Sequence, residues 1–138
     1  MTISAVKVNL FLDKFTSWTS AQPDIEAVAL VGSYARNDAN EESDVDLIIL
    51  TNQPERYLTD PSWASTFGEV RKSSVESWGR VQSLRTFYER GLEVEYSFAL
   101  PEWADVPVDP GTNRVVSDGM KILFDPSGKL GTLERHQG

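Results

Sequence analysis

Asp44 and Asp46, with Gly32 and Ser33 upstream of them, are the residues whose types and spacing point to chemistry in this chain. They lie in AVALVGSYARNDANEESDVDLIIL, residues 27–50. There a first apolar run, Val28 to Val31, stops at the Gly-Ser pair, and a second, Leu47 to Leu50, follows Asp44-Val45-Asp46 directly. Side chains alternate along a strand, so the two aspartates share one face while Val45 and Leu47 share the other. Two carboxylates one strand repeat apart repel each other unless a cation lies between them. Oxygen ligands of this kind suit Mg²⁺ held jointly with substrate phosphates. Gly32, lacking a Cβ, permits a sharp turn and a close ligand approach. Ser33, placed as the N-cap of a short helix, offers a hydroxyl and turns the next backbone N–H groups toward an anion. The stretch reads as a phosphate turn beside a metal-binding pair. The bland alternative, a loop whose solvated acids Asp38, Glu41, Glu42 and Asp44 merely join two core strands, requires neither the Gly-Ser entry nor two same-face acids on an apolar strand.

Several elements must position these residues. The apolar run ending at Val31 predicts a strand over 25–31, buried on both faces, followed by a short helix from Ser33 to about Asn37 and a strand over 44–50. Upstream, Ile3, Val6, Leu10, Phe11, Phe15 and Trp18 recur at helical spacing and predict an amphipathic helix over 3–18. Its Lys7, Asp13 and Lys14 form a solvated face, and it stops before Pro23. After the aspartate strand, TNQP marks a turn, and residues to Gly68 read as irregular with one or two short helices, one entered at Asp60-Pro61 with Trp63 and Phe67 on its apolar face. A strand is predicted over Val81–Tyr88, a turn at Glu89-Arg90-Gly91, and a further strand in LEVEYSFAL. In that last strand Leu92, Val94, Tyr96 and Phe98 share one face, and Glu93, Glu95 and Ser97 the other. A proline-rich loop, a short helix from about Asp109-Pro110 to Gly119, a final strand over Met120–Phe124 and a fraying helix or coil complete the chain. The sum is an α/β (α+β) domain spanning 1–138, a small mixed sheet with helices packed on it.

Composition narrows the chemistry. The 138 residues include no cysteine, which excludes disulfides, zinc–thiolate sites and thiol nucleophiles; the single histidine, His136, sits in the tail. No apolar run has the length of a membrane span and no signal-peptide pattern opens the chain, so a cytoplasmic protein without a membrane partner is expected. A net charge of −8 without a basic stripe argues against a nucleic-acid partner. It leaves room for a Mg²⁺-bound nucleoside triphosphate and favours a neutral or cationic acceptor.

At Gly32, Ser33, Asp44 and Asp46, with ten residues between Ser33 and Asp44, the sequence resembles the DNA polymerase β-like nucleotidyltransferase superfamily. The surrounding GSYAR and SDVDLIIL are similar to its small bacterial members, the minimal nucleotidyltransferases and the aminoglycoside adenylyltransferase-like proteins. The resemblance implies a two-metal Mg²⁺ site and transfer of a nucleoside monophosphate, AMP from ATP or another nucleoside triphosphate, to a hydroxyl of a small molecule or a protein. It implies that Asp44 and Asp46 hold metal, that Gly32 and Ser33 bind phosphate, and that a third carboxylate on a later strand completes the set. Glu95, between Val94 and Tyr96, is the choice for that carboxylate and Glu93 the fallback. The family usually has aspartate there, and glutamate lengthens the reach. Alternating glutamates are also what the wet face of a hairpin shows. Arg36 reaches either a phosphate or, in a salt bridge, Asp38 or Glu42; Arg80 and Arg85 are weaker candidates for phosphate contact. Larger relatives carry a helical C-terminal domain at the acceptor, so the resemblance implies that a second subunit, a helical partner or another copy, completes the pocket, or that the acceptor is a protein. The minimal members act as antitoxins beside a helical toxin, which gives the alternative function: an antitoxin-like or inactive binding module that works by contact.

Overall fold

A single six-stranded sheet organises the computed structural model, which describes residues 3–40, 43–78, 81–105 and 110–135. Glu41, Glu42, Arg80, Asp109 and His136 lie outside these residues. The strands are β1 (Ile25–Val31), β2 (Val45–Thr51), β3 (Val70–Trp78), β4 (Val81–Tyr88), β5 (Glu93–Ala99) and β6 (Met120–Phe124). They form one sheet in the order β3-β4-β5-β2-β1-β6. The pair β2 and β5 is parallel; every other neighbouring pair is antiparallel. The mixed α/β sheet is the architecture the sequence predicts.

Two apolar layers enclose the centre of this sheet. On one face lie α1 (Ile3–Ser20), α3 (Pro54–Thr59) and a 3₁₀ segment (Pro61–Phe67). They bury Val8, Phe11, Phe15, Tyr57 and Ala64 against Val28, Leu30, Leu47, Ile49, Tyr96 and Phe98. Aromatic rings dominate this layer: Trp63 meets Tyr96 edge-on at 4.7 Å, and Tyr57 stacks on Phe98 at 5.2 Å. Such pairs add about 0.5–1.5 kcal/mol each beyond their buried area. On the other face, Ala27, Ala29, Ile48, Leu50 and Ala99 pack with Trp103 and Ala104 of a second 3₁₀ turn (Pro101–Ala104), Val116 of α4 (Pro110–Ser117), and Leu130 and Leu133 of α5 (Lys129–Arg135). β1 and β2 are thus buried on both faces, as their unbroken apolar runs predict.

Three elements differ from the sequence-based expectation. In α1, Val8 is buried while Val6 and Leu10 are exposed, Leu10 at 65%. The core-facing stripe runs Val8, Phe11, Phe15, and a helix offering more apolar residues than its contact needs leaves the surplus outside. β3 was not predicted as a strand. It is an edge strand, mostly polar, held by its ladder to β4 from Val70↔Tyr88 to Trp78↔Val81, with Val75 exposed, so it carries no burial alternation to read. The C-terminal segment is a packed helix rather than a fraying end: Leu130 and Leu133 are fully buried. The Asp125 carboxylate accepts hydrogen bonds from the Leu130 and Gly131 N–H groups at 3.1 and 2.9 Å, which satisfies first-turn donors. Leu133→Ala is expected to cost about 2–5 kcal/mol by urea titration, the range for a cavity in a packed core, whereas a frayed terminus would tolerate it without change.

Candidate active site

One register builds the site. Asp46 on β2 pairs with Glu95 on β5, and Glu95 pairs with Arg85 on β4, so three charged side chains stand in a row across one face of the sheet. Asp44, immediately before β2, joins them from one strand repeat away. Asp44, Asp46 and Glu95 each place a carboxylate oxygen within 4.8 Å of the others. Glu93, on the same face of β5, instead accepts a 2.6 Å hydrogen bond from Arg85 Nη1. The structure therefore gathers Glu95, and not Glu93, with the two aspartates.

Gly32 closes the site from β1. It caps the short helix α2 (Ser33–Arg36) with φ 76° and ψ −157°, and its carbonyl accepts from the N–H groups of Ala35 and Arg36 at 3.0 and 3.2 Å. The cap is therefore Gly32, and Ser33, expected in that role, is the first helical residue; the turn needs a positive φ that glycine adopts at least cost. A Cβ on Gly32 would collide with Oδ2 of Asp46. The glycine is required twice, by its backbone angle and by the carboxylate beside it.

Electrostatics follow from this crowding. Oδ1 of Asp46 is buried with no hydrogen-bond partner. The acid is pushed up to about 8, first by burial, next by the charge of Asp44, then by hydrogen bonding to Glu95 and the charge of Glu95, and last by hydrogen bonding to Asp44. Tyr34 on α2 also has its hydroxyl pKa raised, by burial first and then by Asp44. Arg85 answers the carboxylates. Its Nε donates to Glu76 at 2.6 Å, Nη1 to Glu93 at 2.6 Å and to Asp44 at 3.2 Å, and Nη2 to Glu95 at 3.2 Å. The hydrogen bond to Glu76 foremost, against the opposing effect of burial, and then Glu93 and Glu95 raise the guanidinium pKa further.

Arg36, left open between a phosphate and a salt bridge, pairs with Asp38 at 3.2 Å on the exposed surface. Sequence reasoning gave Arg85 only a minor place and overlooked Glu76 and Tyr34. The available signal was an arginine on one arm of a hairpin whose other arm alternates glutamates, a cross-strand charge pair. The three carboxylates fit a divalent cation that prefers oxygen: their donor set is all oxygen, one buried oxygen is unpartnered, and a cation would offset the burial and like-charge repulsion that hold the Asp46 pKa up.

A family profile described as a nucleotidyltransferase domain matches residues 14–109, which take in Gly32, both aspartates, Arg85 and Glu95. The chain belongs to the nucleotidyltransferase domain family. A search of curated proteins finds no match. Among solved structures, the chain is similar to an aminoglycoside 6-adenyltransferase from Bacillus subtilis, with a TM-score of 0.55 at 17% identity over 68% of this chain and 35% of that one. It is also similar to the polymerase core of TRAMP, an RNA surveillance complex, with a TM-score of 0.55 at 15% identity over 85% of this chain and 42% of that one. At these identities the likeness is one of fold, and this nucleotidyltransferase domain spans well under half the length of either structure. Among the described residues, no helix is long and apolar enough to cross a membrane.

Two outcomes follow for the domain. The folded pKa of Asp46 lies above its unfolded value of about 3.9, so the folded state holds the extra proton between that pH and about 8. The contribution of Asp46 to stability is therefore complete below about pH 4 and eroded as the pH climbs through 8. In EDTA, denaturation midpoints measured at pH 5 and pH 8 should fall more for the wild type than for Asp46→Asn; parallel curves would count against the shift. Gly32→Ala, which imposes both strain and collision, should lower stability by about 1–3 kcal/mol in the same assay, whereas Gly91→Ala, whose added Cβ would meet open space, is the control for positive φ alone.

Proposed function

We propose that this domain transfers a nucleoside monophosphate, AMP from ATP, to a hydroxyl of a small-molecule or protein acceptor. The observation that carries the reading is the meeting of three carboxylates beside a glycine turn inside a nucleotidyltransferase domain. In the reaction the acceptor oxygen forms a bond to the α-phosphorus as the bond from that phosphorus to the pyrophosphate oxygen breaks, a step that asks the protein for positioning and charge balance.

Asp44, Asp46 and Glu95 are the residues that would hold Mg²⁺. When bound, the metal neutralises triphosphate charge and polarises the phosphorus under attack. Glu95 accepts the proton of the attacking hydroxyl. Ser33 and neighbouring backbone N–H groups bind the β and γ phosphates, and the bare Cα of Gly32 keeps the floor of the turn low enough for them to approach. For the acceptor, the charge of −8 favours a neutral or cationic compound. The adenyltransferase with the similar fold is named for aminoglycosides, which are cationic.

Calorimetric titration of ATP, GTP, CTP and UTP, with Mg²⁺ and with EDTA, tests the reading beside Asp44→Asn. ATP should bind in Mg²⁺ only, and Asp44→Asn should weaken it by on the order of a hundredfold, as loss of one partner of a close charge contact does, with the denaturation curve unchanged. Equal binding in EDTA, or an Asp44→Asn protein that no longer folds, would assign the aspartate a structural role instead.

A further inference from the structure

The arginine in the middle of the site contacts its four carboxylates unequally. Arg85 reaches Glu76 and Glu93 at 2.6 Å each, and reaches Asp44 and Glu95 at 3.2 Å each. The short contacts are with glutamates outside the metal-binding set; the long ones are with two of its three members. Asp46, the third member, receives none of these four contacts, and its Oδ1 is buried and unpartnered. The Arg85 side chain is 25% exposed, so water and ions reach it.

We infer that Arg85 is a built-in counter-ion that holds Asp44 and Glu95 together without metal and must release both when a divalent cation enters. Glu76 and Glu93 are the anchor that keeps the guanidinium beside the site after release. This rests on the reading of Asp44, Asp46 and Glu95 as the metal site, and it adds that metal affinity is set by competition with an arginine. Physically, one planar guanidinium with donors on three nitrogens satisfies four carboxylates at once, which a Lys ammonium cannot do. Like charges gathered on neighbouring strands repel unless a counter-charge offsets them, and a cation tied covalently to β4 keeps the carboxylates converged until metal arrives. Asp46, untouched by Arg85 and carrying the unpartnered oxygen, is the ligand that metal meets without having to displace the guanidinium.

Mn²⁺ is the probe, with free Mn²⁺ read by its paramagnetic resonance signal at fixed pH and salt, so that no turnover is needed. Arg85→Met keeps most of the side-chain volume and removes the charge; it should bind Mn²⁺ roughly tenfold more tightly, or more, than wild type. Arg85→Lys keeps the charge and the fold but loses the fork, and should fall between the two. Glu93→Gln loosens the anchor. It should weaken Mn²⁺ binding severalfold in the wild-type background and by less in Arg85→Met, because in the first case the arginine also tightens on Asp44 and Glu95, and the double-mutant cycle isolates that coupling. Unchanged or weaker binding in Arg85→Met and Arg85→Lys, or a cycle that closes without coupling, overturns the counter-ion role while leaving the metal site standing. No Mn²⁺ binding by wild type or any variant removes the metal site and this inference with it. Binding by Arg85→Met alone supports the competition directly.

Discussion

The parallel register of β2 against β5 is the constraint on which the rest of this structure depends. It sets Asp46 opposite Glu95, and with Asp44 one repeat away it gathers like charges at the end of the central strands, which are otherwise enclosed by two apolar layers. A buried, uncompensated carboxylate costs several kcal/mol. The surroundings answer that cost locally: Asp46 keeps its proton, Arg85 lends its charge, and Gly32 removes the one Cβ that would force the Asp46 carboxylate out of place. A one-residue slip of β2 is excluded by Asp46, which the shift would carry from the acidic row onto the face of the aromatic layer.

Position 95 is pinned by its neighbour. Tyr96 is fully buried on the opposite face, with its ring against Trp63, Phe15 and Phe11. Its hydroxyl hydrogen-bonds to that of Tyr88 at 2.7 Å, and Tyr88 donates to the Ala64 carbonyl at 2.8 Å. Burial raises the pKa of both phenols, which keeps them as neutral hydrogen-bonding groups at physiological pH. Rings on one side of the sheet thereby fix a carboxylate on the other. The aromatic layer and the acidic row are two faces of the same strand, a separation of structural and chemical work that alternation along a strand makes possible.

What was legible in the sequence had a local cause. The strands β1, β2, β5 and β6 announce themselves by apolar runs or by alternation, and the Gly-Ser turn and Asp-x-Asp pair lie within one short stretch of chain. Elements whose character comes from distant partners were not legible. β3 is polar because it is an edge, and only its pairing with β4 makes it a strand. α5 offers few apolar side chains, and their complete burial depends on the packing of β1, β6 and the 3₁₀ turn around Trp103. Gly32 rather than Ser33 takes the cap because the capping residue has a positive φ and lies against Asp46, where a Cβ would collide. Arg85 is the clearest case. Nothing in RVQSLRTFYER sets it apart from the other arginines, and its place among four carboxylates follows from two registers, β4 on β5 and β5 on β2.

The same registers explain why glutamate suits position 95. Residue 95 stands directly between Asp46 on one side and Arg85 on the other, so its carboxylate serves two neighbours on opposite strands. With its extra methylene, Glu95 places its carboxylate within reach of Asp44 and Asp46 and also accepts from Arg85 Nη2 at 3.2 Å. A shorter aspartate would hold its carboxylate closer to the backbone with less freedom to face both ways. Here the arginine at 85 and the glutamate at 95 are cross-strand partners, and the longer acid is the physical counterpart of the longer reach of the cation.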